Sequence, residues 1–118
     1  MYIVDSYLEK SKDQVVACAK ENGYTDLNPR SIYDKYMKDG ANQPDCLSAC
    51  VMKSLGTMVN SKLDTAKLNE FNKSAVPDQP EMHAKLEKTI SDCVEKAKNV
   101  SDECKMAYTY INCFMSNQ

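Results

Sequence analysis

The chain has one histidine, three glycines and no cluster of lysine or arginine, and each shortage closes off a function. Catalysis needs a nucleophile, a base and an orienting group. A lone His83 and no recognisable catalytic motif leave little to build one from, so no enzyme is expected. No Cys-x-x-Cys pair is present, which removes dithiol redox chemistry. Structural zinc wants paired cysteine knuckles, often with histidine. Only Cys46 and Cys50 stand close together, so neither a metal nor any other cofactor is expected. The net charge is -2 and the pI about 5.4, with no basic footprint for nucleic acid. No apolar run reaches the roughly 18 residues that span a bilayer. The opening "MYIVDSYLEKSKD" lacks a basic stretch followed by an apolar one, so it does not read as a signal peptide. It is expected to be the start of a mature, already processed chain, with Met1 an added initiator.

What is present is cysteine in an even number. Six in 118 residues point to an oxidised, secreted, extracellular protein. The length favours a single domain spanning residues 1–118, with a real but modest core. No repeat, low-complexity tract or Gly/Ser linker divides it.

The apolar spacing of three and four predicts an all-α chain of six helices. The first runs from about Val4 to Glu21 on a stripe of Val4, Leu8, Val15, Cys18 and Ala19, with Gly23 as a stop. The second starts at the cap Asn28 with Pro29 in its first turn, and ends near Asp39 and Gly40. The third is expected from about Pro44 to Gly56, with Leu47, Cys50, Val51, Ser54 and Leu55 inward. The fourth is capped by Asp64, turns Leu68 and Phe71 inward and stops before Pro77. The fifth, from about Pro80 to Lys98, carries Met82, Leu86, Ile90, Cys93, Val94 and Ala97. The sixth is capped by Ser101 and runs to about Met115. Ala107, Tyr108, Ile111, Phe114 and Met115 lie on one side of it, Met106 and Tyr110 on the other. A helix apolar nearly all round is usually buried. Asn72-Lys-Ser and Asn99-Val-Ser match the N-glycosylation sequon, and equally suit unmodified polar residues at helix ends.

Six cysteines allow fifteen pairings. On one helix the Cβ atoms of Cys46 and Cys50 point nearly parallel, so the two should reach different partners. Cys104 and Cys113 fall on opposite flanks of the sixth helix, which would tie it on two sides. Each closed loop should add on the order of 3–4 kcal/mol.

The spacing C-x27-C-x3-C-x42-C-x10-C-x8-C resembles that of the insect odorant- and pheromone-binding protein family. Cys-x3-Cys in the third helix and Cys-x8-Cys at the end are its most rigid intervals, and the resemblance covers Cys18 to Cys113. It implies a six-helix domain, stapled by disulfides around an apolar cavity, with the pairs Cys18–Cys50, Cys46–Cys104 and Cys93–Cys113. It implies a carrier that binds and solubilises odorants, pheromones or other small hydrophobic molecules. A membrane receptor is a second partner to consider, and the chain would be a monomer or weak homodimer. Only "FMSNQ" follows Cys113. That is too short for the extra C-terminal helix that fills the cavity in some members, so Phe114 and Met115 would at most line or plug it.

The candidate ligand-binding residues are Leu8, Val15, Ser48, Val51, Leu55, Leu68, Phe71, Leu86, Ile90, Tyr108, Ile111 and Phe114. Ser48, Ser54 or a tyrosine would supply the polar contact. Seven methionines suit a surface that adapts to several apolar shapes, though each also suits ordinary core filling. His83 reads as a half-exposed helix residue. A sharper reading makes it a pH-sensitive cavity rim, since histidine ordinarily titrates near 6.5. Rival functions are a fatty-acid or dietary-lipid carrier of the same fold, a saposin-like membrane-interacting module, and a helical protein with a filled core. The twin Cys-x9-Cys hairpin is excluded by spacing.

Overall fold

The computed structural model describes residues 3–40, 45–76 and 79–118. Among them are six helices: α1 (Ile3–Glu21), α2 (Pro29–Asp39), α3 (Leu47–Leu55), α4 (Thr65–Ala75), α5 (Pro80–Ala97) and α6 (Glu103–Ser116). The all-α, disulfide-stapled architecture expected from the sequence is the one observed. No described helix is long and apolar enough to cross a membrane.

Local chemistry sets most of the helix ends. The Asn28 side chain accepts the Ser31 amide at 3.1 Å, and Pro29 opens α2 where no amide hydrogen is needed. The Asp64 carboxylate accepts from the Lys67 amide at 3.1 Å and starts α4. Gly56 closes α3 in the left-handed conformation, φ 78°, which only glycine adopts without steric cost. Two boundaries differ from expectation. The cap of α6 is Asp102, whose Oδ1 accepts the amides of Cys104 at 2.9 Å and Lys105 at 3.1 Å. Ser101 is an exposed bend residue one position too early for that reach. The helix expected from Pro44 begins at Leu47, and Pro44 itself lies outside the described residues. Pro77 does too; α4 ends before it, at Ala75.

One element was not anticipated. Between α3 and α4 a two-stranded hairpin pairs β1 (Met58–Val59) with β2 (Lys62–Leu63). Its turn residues Asn60 and Ser61 both have positive φ, 52° and 61°, the geometry that matches the twist of adjacent strands. Strands of two residues carry no alternation to detect, and Asn-Ser is a weaker turn signal than Asn-Gly.

Three disulfides tie the helices: Cys18–Cys50 joins α1 to α3, Cys46–Cys104 joins the start of α3 to α6, and Cys93–Cys113 joins α5 to α6. They bridge sequence separations of 32, 58 and 20 residues. Cys46 and Cys50, four residues apart, thus fasten α3 to two different helices. The core falls into two clusters. One gathers α5, α6 and parts of α3 and α4 around Met52, Leu86, Ile90, Cys93, Tyr110 and Phe114. The other joins α1, α2 and α3 around Val15, Cys18, Ile32, Tyr36 and Leu47. Helix α3 contributes to both, because it packs on α1 and on α6.

Candidate functional site: an apolar pocket at the core seam

A pocket of about 110 Å³ opens where the two core clusters meet. Helical faces build it through the i, i+3, i+4 spacing that aligns side chains on successive turns. From α1 come Tyr7, Leu8, Ser11 and Val15; from α2 come Ile32, Tyr33 and Tyr36. Helix α3 supplies Leu47, Ser48, Val51, Met52 and Leu55, with Thr57 just beyond it. Leu68 and Phe71 of α4 close another side. From α6 come Tyr110, Ile111, Phe114 and Met115.

Nine of the residues singled out in the sequence meet here: Leu8, Val15, Ser48, Val51 and Leu55 from the first half, and Leu68, Phe71, Ile111 and Phe114 from the second. Three do not. Leu86 and Ile90 are buried in α5, 3% and 1% exposed, where they fill the core against α4 and α6. No described residue of α5 lines the pocket, so the apolar stripe of that helix is consumed by packing. Tyr108 lies on the other flank of α6, its ring 5.7 Å from that of Tyr36. Tyr110, two residues and about 200° further round the helix, takes the pocket-facing place. Ser54 is exposed, with its Oγ 3.9 Å from the Cys18 sulfur, away from the pocket. His83, on α5, is half-buried and does not border the pocket, so it does not form a rim.

Sequence reasoning missed Tyr7, Ser11, Ile32, Tyr33, Tyr36, Leu47, Met52, Thr57 and Tyr110. A signal for part of this existed. Ile3, Tyr7, Ser11, Val15 and Cys18 are spaced at four, four, four and three, one continuous stripe if serine and tyrosine are admitted. Ser11 is 6% exposed and satisfies its hydroxyl within the helix, donating to the Tyr7 carbonyl at 2.7 Å.

Aromatic rings form one wall. Tyr7 stacks on Phe114 at 5.3 Å and meets Phe71 edge-on at 5.1 Å. Tyr110 stacks on Phe114 at 6.1 Å. Offset and edge-to-face pairs at these distances add to simple area burial. Burial pushes the phenols of Tyr7 and Tyr110 far above their ordinary range, so both are neutral donors or acceptors. The Tyr7 hydroxyl donates to Asn72 Oδ1, and the Thr57 hydroxyl to the Met52 carbonyl at 3.1 Å. Every described lining side chain is apolar, hydroxyl-bearing or a thioether; none carries charge. Such a surface can hold and desolvate a small apolar molecule.

The profile of the PBP/GOBP family matches residues 3–117. "General odorant-binding protein 28a" of Drosophila melanogaster is 31% identical over 108 residues, covering 91% of this chain and 74% of the fly protein. No solved structure matches the chain significantly. Six cysteines in three disulfides, six helices and a family match from end to end lead to one conclusion: the chain belongs to the PBP/GOBP family.

Proposed function

We propose that the protein is a secreted carrier that takes up a small hydrophobic molecule, of the odorant or pheromone kind, in the pocket between its two core clusters. It shields the molecule from water and releases it without making or breaking a bond; a membrane receptor is the natural recipient. The observation that carries this reading is the uncharged lining of the pocket in a chain of this family. Leu8, Val15, Val51 and Leu55 would supply apolar contact from the α1–α3 side. Leu68, Phe71, Ile111 and Phe114 would do so from the other, with Ser48 the polar contact.

The pocket's size bears on the ligand. At about 110 Å³ it is smaller than an engineered cavity of roughly 150 Å³ that binds benzene. Ligand sites for larger molecules run to about 300–1,000 Å³. A longer ligand therefore has to displace side chains. Met52 and Met115 line the pocket and, being unbranched and flexible, are the ones that yield most cheaply. A ligand burying about 300 Å² of apolar surface gains roughly 7 kcal/mol before association costs. Affinity in the micromolar range is expected.

The test is a titration of oxidised, delipidated protein with an environment-sensitive apolar fluorophore, followed by competition with alcohols, aldehydes, esters and fatty acids. Saturable uptake at one site per chain, abolished by filling the pocket with Val51→Trp while the helical signal is kept, is the expected result. No uptake by wild-type protein with its three disulfides intact would overturn the carrier reading.

A further inference from the structure

Beside the hydroxyls of Tyr33 and Tyr36 on α2, five others border the pocket and divide by what they bond. Those of Tyr7, Ser11 and Thr57 each donate to a protein oxygen. Those of Ser48 and Tyr110 make no hydrogen bond to a described residue, and neither oxygen is among the sealed atoms that lack a partner, so both are open to a water or a ligand atom. Both border the pocket, Ser48 from α3 and Tyr110 from α6. A ligand atom that accepts their hydrogens takes the place of water there and gains a net hydrogen bond, whereas a plain hydrocarbon displaces that water with nothing to replace it.

Charge decides what kind of atom that is. No lysine, arginine or histidine borders the pocket among the described residues. All the lysines and arginines of the chain, and its one histidine, lie within the described stretches. A carboxylate brought inside would therefore be desolvated with no cation to pair it, which costs several kcal/mol. A carbonyl oxygen of an ester, aldehyde or ketone carries no such cost and can accept one hydrogen bond or two.

We propose that the pocket, acting as the carrier site described under the proposed function, selects neutral, carbonyl-bearing ligands over carboxylates of the same chain length. The Ser48 and Tyr110 hydroxyls are the donors to the carbonyl oxygen. The competing arrangement leaves an acid's tail in the pocket and its head outside. The half-buried Tyr33, with the Arg30 guanidinium 5.5 Å over its ring, marks where such a head would meet a cation, one it would have to share with Asp5 at 2.9 Å and Asp34 at 3.1 Å.

The experiment displaces a bound apolar fluorophore at neutral pH with octane, octanal, methyl octanoate and octanoate. Octanal and methyl octanoate should displace at concentrations about tenfold or more below octanoate, as expected if burying the unpaired charge costs more than about 1.4 kcal/mol. In Ser48→Ala/Tyr110→Phe protein, displacement by octanal is read relative to displacement by octane, so that any change in the shape of the pocket cancels. Octanal should lose about two- to tenfold, the worth of a net hydrogen bond. Octanoate displacing as well as octanal, and losing that ability in Arg30→Gln, would overturn the selectivity while leaving the carrier reading in place. An unchanged advantage of octanal over octane in the double variant would overturn the assignment of the donors. Failure of wild-type protein to take up the fluorophore at all would remove the carrier reading itself, and the ligand selectivity with it.

Discussion

The Tyr7 hydroxyl lies 2.5 Å from Asn72 Oδ1, a hydrogen bond between residues 65 apart in sequence that ties α1 to α4. Asn72 is fully buried, and its Nδ2 has no partner among the described residues. The pair is therefore only partly satisfied, and its one bond matters the more. Tyr7→Phe keeps the ring contacts with Phe71 and Phe114 but leaves the whole Asn72 amide unpaired. It should cost about 1–3 kcal/mol in urea unfolding with the disulfides intact. Tyr7→Phe/Asn72→Leu should recover much of that loss, because removing both partners leaves nothing polar to satisfy. A double variant less stable than Tyr7→Phe would contradict this account.

The same burial bears on modification. Asn72 of the sequon Asn72-Lys-Ser is sealed inside α4, whereas Asn99 of Asn99-Val-Ser sits exposed in the turn between α5 and α6. A glycan on Asn72 is incompatible with the packed fold. Protein secreted from eukaryotic cells should carry any glycan at Asn99 alone, read by peptide mass mapping before and after glycosidase treatment. A folded species glycosylated at Asn72 would show the α1–α4 packing to be otherwise.

Of the three disulfides, Cys46–Cys104 closes the longest loop, 58 residues. In the chain-entropy account its removal costs about 4 kcal/mol, against about 3 kcal/mol for the 20-residue Cys93–Cys113 loop. Replacing each pair by alanine and comparing denaturation midpoints should give that order. The reverse order would mean that native contacts outweigh the loop term here.

Glu103, in the first turn of α6, accepts from Lys53 of α3 at 2.6 Å and from the Ser61 hydroxyl of the hairpin turn at 2.9 Å. The Lys53 bond, with the Ser61 bond second, holds the carboxyl below its usual range. A depressed folded pKa contributes stability above the unfolded value, and that stability is lost as pH falls through the folded one. Glu103→Gln should therefore flatten the acid limb of the stability curve and leave the alkaline limb unchanged. The effect should be small and salt-sensitive, because the pair lies near the surface. An identical acid limb in wild type and variant would count against a stabilising role for the cluster.

Much of the architecture was legible in the sequence because it rests on local signals. Asn28-Pro29, Asp64 and Gly56 act within one turn, and the stripes of α4 and α5 are unbroken. The site was less legible. Tyr108 and Tyr110 are equally apolar on paper, and only the docking of α6 against its neighbours decides which one faces the pocket. Leu86 and Ile90 form as good a stripe as Val51 and Leu55, but α5 spends its stripe on α4 and α6. The hairpin at Met58–Leu63 is too short to carry a period.

The sequence alone determined the helical class, the family and the helix caps at Asn28 and Asp64, and it led to the expectation that Cys46 and Cys50 reach different partners. These come from spacing along the chain, which local geometry converts directly into faces and ends. Only the tertiary structure decided where the core would fail to close. A pocket is a property of how two packed clusters meet, and that depends on helix docking angles that no single helix encodes. For the same reason only the fold separates the hydroxyls of Tyr7, Ser11 and Thr57, which find protein partners, from those of Ser48 and Tyr110, which do not.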